Sequence, residues 1–143
     1  MPKPLAQFTV RCHPRYRKRF KVTVIGTQRE FDQYRRETSG VCKCLAYCNG
    51  YKLINYSKGV RGIVSEEIGE LVFSLSSLRM GIICHEAVHA GVQFMKAVGY
   101  DMNFTVPLNR TRANRKEELF AWVVGNIARQ VVLKTQGLKR RKA

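Results

Sequence analysis

His85 and His89 stand four residues apart, with Glu86 beside the first, in the run His85-Glu86-Ala87-Val88-His89. On a helix, residues at that spacing lie one above the other on the same face, so both imidazoles can reach a single cation. Glu86 falls one residue further round. There its carboxylate can meet a water on the cation without taking a ligand position, as a general base must. The chemistry this pattern serves is hydrolysis by a metal-activated water, with Zn2+ as the metal. The flanking residues, Met80-Gly81-Ile82-Ile83-Cys84 before and Ala90-Gly91-Val92 after, read as buried helix. Two imidazoles and a carboxylate are costly to bury in such a segment unless a cation pairs with them.

A catalytic zinc takes three protein ligands and keeps one position open. The chain has three histidines, and the remaining one, His13, lies far upstream in a basic stretch, so nothing after His89 offers a third imidazole. The last helical segment supplies two carboxylates, Glu117 and Glu118. Asn114 and Glu117 have capping-box spacing, which turns Glu117 toward the helix start and leaves Glu118 to project elsewhere. Glu118 shares a helical face with Ala121, Trp122 and Gly125, and the small residues at 121 and 125 would let this helix approach the metal helix closely. Glu118 is therefore the expected third ligand and Glu117 its alternative.

On His85-Glu86-Ala87-Val88-His89 and Glu118-Leu119-Phe120-Ala121-Trp122, the sequence resembles the gluzincin metallopeptidases, particularly their minimal versions and the compact HExxH proteins of phages and mobile elements. The second run looks like the Glu-x-x-Ala pattern of that family's glutamate helix. The resemblance covers roughly residues 20 to 136. It implies a zincin-like α+β fold, peptide-bond hydrolysis, and an edge strand at Glu70 to Leu75 along which an extended substrate lies. Trp122 departs from the pattern, because many gluzincins carry Asp or Asn there to support a histidine ligand.

The elements that must position these groups are legible from periodicity. Phe8, Val10 and Cys12 alternate with polar neighbours, as do Phe20, Val22 and Val24, so each run predicts a half-buried strand; Arg15-Tyr16-Arg17-Lys18-Arg19 between them reads as a basic connector. Thr27 with Glu30 has capping-box spacing and starts a short helix through about Glu37. Cys42 to Cys48 and Tyr51 to Tyr56 flank Asn49-Gly50, the pair suited to a type I′ turn, and predict a hairpin. Residues 57 to 65 read as loop and Glu70 to Leu75 as a strand. A helix follows from about Leu78 to Val98, and a last one from roughly Asn114 to Gln136. The expected fold is α+β and zincin-like: a small mixed sheet of about four or five strands packed on a buried HExxH helix and a C-terminal glutamate helix. At 143 residues the chain reads as a single domain over 1–143, with a frayed basic tail at about 137–143.

Lys and Arg total 26 against 10 for Asp and Glu, a formal net charge of +16. Such an excess attracts polyanions, and Arg15, Arg17, Lys18, Arg19, Lys139, Arg140 and Arg141 are the candidate nucleic-acid contacts. No apolar run approaches membrane-spanning length and the first residues lack a secretory pattern, so a cytoplasmic protein without membrane contact is expected. Five cysteines, at 12, 42, 44, 48 and 84, lack disulfide-framework spacing and fit reduced thiols. Cys42, Cys44 and Cys48 share a strand parity with Ala46, which predicts one buried face. The expected activity is a zinc-dependent metallopeptidase acting on a protein or peptide, with Glu86 as base and Tyr100, Arg110 or Arg112 as oxyanion donor. The alternatives are a basic nucleic-acid-binding or interaction protein on a zincin scaffold whose metal is structural, and a zinc hydrolase acting on a non-peptide bond.

Overall fold

The computed structural model describes residues 1–40, 43–51, 65–100, 102 and 111–142; within the last segment, 111–114 and 139–142 are described as helical backbone only. The elements run β1 (Ala6–His13), β2 (Tyr16–Ile25), α1 (Gln28–Thr38), β3 (Ala46–Gly50), β4 (Glu67–Ser74), a 3-10 turn (Leu75–Ser77), α2 (Met80–Ala97) and α3 (Thr111–Lys142). The result is an α+β molecule with one four-stranded mixed sheet, ordered β1-β2-β4-β3, and three helices. The central pair, β2 and β4, is parallel, and β1 and β3 add to it antiparallel.

Alternation along the strands sorts the core into two layers. Val10, Cys12, Phe20, Val22, Val24, Leu71 and Phe73 face α2 and α3, while Ile25, Val72 and Tyr47 meet Phe31 and Tyr34 of α1 on the other face. Covered on both sides, β4 is buried along nearly its whole length. Thr27 caps α1 as its spacing predicts: its hydroxyl accepts from the Glu30 N–H at 3.2 Å and donates to the Glu30 carboxylate at 2.9 Å. Glu70 is enclosed beneath α1, accepting from Thr23 Oγ1 at 2.6 Å and Tyr34 OH at 3.2 Å. Burial, with Glu70 next, pushes the Tyr34 hydroxyl up to about 12.

Several expectations fail for identifiable reasons. The basic stretch after His13 is not a connector: Tyr16–Arg19 already belong to β2, and the Tyr16 ring packs edge-on against Phe94 at 5.3 Å. Asn49 and Gly50 do not turn; they pair with Glu70 and Gly69 of β4. Gly50 lacks a side chain for another reason, since a Cβ there would lie 2.7 Å from the Gln93 amide carbon. Gln93 instead donates to Tyr51 O at 3.0 Å and ties α2 to the end of β3. The partner strand expected at Tyr51 to Tyr56 lies outside the described residues beyond Tyr51, as does Cys42. Glu70 to Leu75 is interior, so the edge strand beside α2 is β3. Cys44 precedes β3 and packs with the α1 layer, whereas Cys48 packs with the α2 layer, so these two do not share a face. The helical backbone of α3 is described as far as Lys142.

The two edges are treated differently. The outer edge of β1 is covered by side chains at four-residue intervals on α3: Asn126 Nδ2 donates to Arg11 O at 3.0 Å, Gln130 Nε2 to Arg11 O at 2.7 Å, and Lys134 Nζ to Thr9 O at 2.7 Å. Backbone groups that would otherwise invite another strand are thereby satisfied. Against α2, α3 closes at Gly91, where a Cβ would stand 2.7 Å from Val124 Cγ2 and 3.0 Å from the Phe120 ring. The small residue that permits close approach is thus on α2. Ala121 and Gly125 face solvent, and a Cβ at 125 would meet nothing within 4 Å.

This contrast is measurable by chemical denaturation. Gly91→Val should cost about 2–3 kcal/mol, because the stiff Val124 methyl must move. Gly125→Ala should add about 0.5–1 kcal/mol from helix propensity alone. A stabilising Gly91→Val would place the helix contact elsewhere.

The thiols give a second check. Burial, with Cys48 next, lifts Cys12 from its ordinary 9.0 to about 12, and burial plus the nearby Glu86 charge lifts Cys48 likewise. Both folded thiols keep their protons where the unfolded chain loses them. Their contribution to stability is therefore complete below about pH 9 and declines as pH rises toward 12. In the native state a thiol reagent should modify exposed Cys84 rapidly and spare buried Cys12 until unfolding. Equal labelling of the two would contradict this packing.

Candidate metal centre

The rotation of α2 about its axis decides which side of the motif meets solvent. Ile83, Ala87, Ala90, Phe94 and Met95 form its buried stripe, and burying a side chain such as Phe94 contributes about 1.5–3 kcal/mol. Glu86 falls at the margin of that stripe and is only 5% exposed. His85 and His89 fall beyond it, and the His85 side chain is 68% exposed. The expectation of buried histidines is thus reversed: the carboxylate is inside and the imidazoles are outside.

The two rings converge. Their Nε2 atoms are 3.2 Å apart and their planes inclined at 68°. Bonds of roughly 2.0–2.1 Å at a tetrahedral angle would put two zinc-ligating nitrogens about 3.3 Å apart, so the pair matches the donor spacing such an ion needs. The contact is also a hydrogen bond when one neutral ring donates and the other accepts. Glu86 Oε1 lies 4.0 Å from His85 Nε2. Burial raises the Glu86 carboxyl above its usual range, opposed by His89 and then His85. A shallow cleft of about 320 Å³ opens here between α2 and the entry to β3, lined by Cys44, Leu45, Ala46, Ile82, His85 and Glu86. Sequence periodicity did not anticipate Cys44 in this cleft, because it lies outside any regular element.

Glu117 and Glu118 are both exposed. Glu118 shares its face with exposed Ala121, Trp122 and Gly125, turned away from the Phe120 and Val124 contact with Gly91. Among the described residues no group of three or more His, Cys, Asp or Glu side chains gathers as a metal site, so Glu118 does not join His85 and His89 in this arrangement. Trp122 packs against His13, ring centroids 4.6 Å apart, rather than supporting either motif histidine. Tyr100 is exposed just after α2; Arg110 and the Arg112 side chain lie outside the described residues. Among the described residues no helix is long and apolar enough to cross a membrane.

No protein-family model, curated protein or solved structure matches the chain.

Proposed function

We propose that this chain is a zinc-dependent metallopeptidase on a small zincin-like scaffold, with His85 and His89 as metal ligands and Glu86 as general base. The observation that carries the reading is the convergence of two exposed Nε2 atoms to 3.2 Å beside a carboxylate that the fold keeps out of water. When bound, zinc would supply a Lewis acid that lowers the pKa of water to about 7 and polarises a substrate carbonyl. The chain's own groups do the rest. His85 and His89 hold the ion on the solvent side of α2, where a substrate can reach it. Glu86 accepts a proton from the attacking water and returns it to the leaving nitrogen. Its buried setting favours that exchange, since a carboxyl raised by desolvation gives the proton up and takes it back at closer cost. Glu118 stays the candidate third ligand on the sequence pattern alone, since α3 as packed turns its side chain away from the histidine pair.

The alternative, a basic binding protein with a structural metal, needs both histidines but gives no role to a carboxylate buried beside them. Glu86 therefore separates the two readings. Glu86→Gln should retain zinc, measured by metal analysis after dialysis, and lose peptide hydrolysis by about 10²-fold or more. His85→Ala with His89→Ala should lose zinc. Glu118→Gln should weaken zinc binding about 10- to 100-fold. Equal zinc content in the wild type and the double histidine variant defeats the reading; unchanged zinc affinity in Glu118→Gln removes that residue from the ligand set.

A further inference from the structure

At the edge of the sheet opposite the cleft, the fold gathers positive charge. The face of β1 and β2 that α2 and α3 do not cover carries Arg11, Arg17 and Arg19, and Lys134 reaches over the edge of β1 from α3. With Lys18, these cations line an open groove of about 600 Å³ whose one carboxylate, Glu66, is paired with Arg19 at 2.7 Å. Arg11 and Arg19 are directly opposed in the strand ladder. Like charges at such a position destabilise a sheet; Glu66 offsets Arg19, and a further anion would offset Arg11. Arg17 and Arg19, two positions apart, repeat the cation along the strand roughly every 7 Å.

Outside the lining of the groove, an aromatic platform stands at the His13 end of β1. Along β1, α3 presents Trp122, Asn126, Gln130 and Lys134 at successive turns, from His13 at one end to Thr9 at the other. Trp122 is 46% exposed and rests on the His13 ring. Burial, with Arg15 next, holds the His13 imidazole below its ordinary range, so at neutral pH it is an uncharged ring beside the indole.

We propose that this groove binds single-stranded nucleic acid, with Arg11 and Arg17 on phosphates and unpaired bases stacking on Trp122. The two halves of the surface match the two halves of that ligand: cations that track a backbone, and an aromatic face that any unpaired base can cover. A duplex keeps its bases from the indole. A planar anionic membrane does not enter a concave groove. The surface is separate from His85 and His89, lying at the β1 edge while the cleft lies at β3, so it adds a binding function to whatever chemistry the motif performs.

The chain has a single tryptophan, so its intrinsic fluorescence reports this position alone. Titrating the full protein with an oligothymidylate should quench that fluorescence, with a binding constant that falls steeply as salt rises. Arg11→Gln with Arg17→Gln should weaken binding at least about tenfold and flatten the log–log salt slope by about 1.4, the value for two lost single-strand phosphate contacts. Trp122→Ala, followed by anisotropy of a labelled oligonucleotide, should weaken binding about tenfold while leaving the salt slope unchanged. Circular dichroism of each variant matching the parent establishes that the fold survives; Arg11→Lys, which keeps the charge, should restore most of the affinity if Arg11→Gln alone has perturbed it. Binding without quenching overturns the proposal, as does an arginine double variant that binds like the parent. Tighter binding of the matching duplex, or equal and equally arginine-dependent binding of polyglutamate or phosphatidylserine vesicles, overturns it as well.

Discussion

The angle at which α2 lies on the sheet governs the rest of the candidate centre. Its apolar stripe must face β2, β4 and β3, and Gly91 must face α3, because only a residue without a side chain fits against Val124 and Phe120. Two contacts on different sides of one helix leave no rotational freedom. Position 86 then turns inward, and 85 and 89 turn outward. The spacing that aligns the histidines is a property of any helix, but their exposure beside an enclosed carboxylate is a property of this packing.

The sheet edges divide the surface. At β1, amide and ammonium groups of α3 satisfy the outer backbone groups and seal the edge against another strand. At β3, the short strand stops at Ala46 and leaves a cleft where its entry passes the motif. One helix, α3, therefore serves both regions: Phe120 and Val124 fix α2, while Asn126, Gln130 and Lys134, further along, lie on β1. A shift of α3 along its axis would disturb both at once, so the motif helix and the far edge of the sheet share one support.

Much of this was legible in the residues, and the failures share a cause. Alternation located β1 and β2, the Thr27–Glu30 pair located the start of α1, and the long apolar period located α2. These are local signals, in which each residue reports its own burial. What a residue is buried against is not local. Asn49-Gly50 carries a strong turn signal, yet β4 extends far enough to pair with both, and Gln93 supplies the tertiary reason for the glycine. Small residues at 121 and 125 suggested a helix contact, but smallness permits approach without requiring it, and Gly91 offered the same permission on the other helix. The histidine pair could be read because helix geometry alone brings it together. A third ligand depends on the relative placement of two helices, which no spacing within one of them encodes.

The scarcity of acid shapes the molecule as much as the excess of base. With 10 carboxylates against 26 cations, each acidic residue committed to structure is unavailable to screen the surface. Glu30 is taken by the cap of α1, Glu67 accepts from Tyr51, Glu70 is enclosed with Thr23 and Tyr34, and Glu86 is withdrawn beside the motif. Of these, Glu70 reaches Lys21 at 3.6 Å and Glu67 stands opposite Arg19 in the β2–β4 ladder, while Glu66 neutralises Arg19. Arg11 and Arg17 stand beyond that pair on a face that α1 does not reach across. Self-repulsion of this kind opposes the compact state, and its cost falls when mobile or macromolecular anions occupy the ribbon. Folding and polyanion binding are in that sense linked: a ligand that binds the folded ribbon and not the open chain stabilises the whole sheet through β1, and with it the helix that covers its edge.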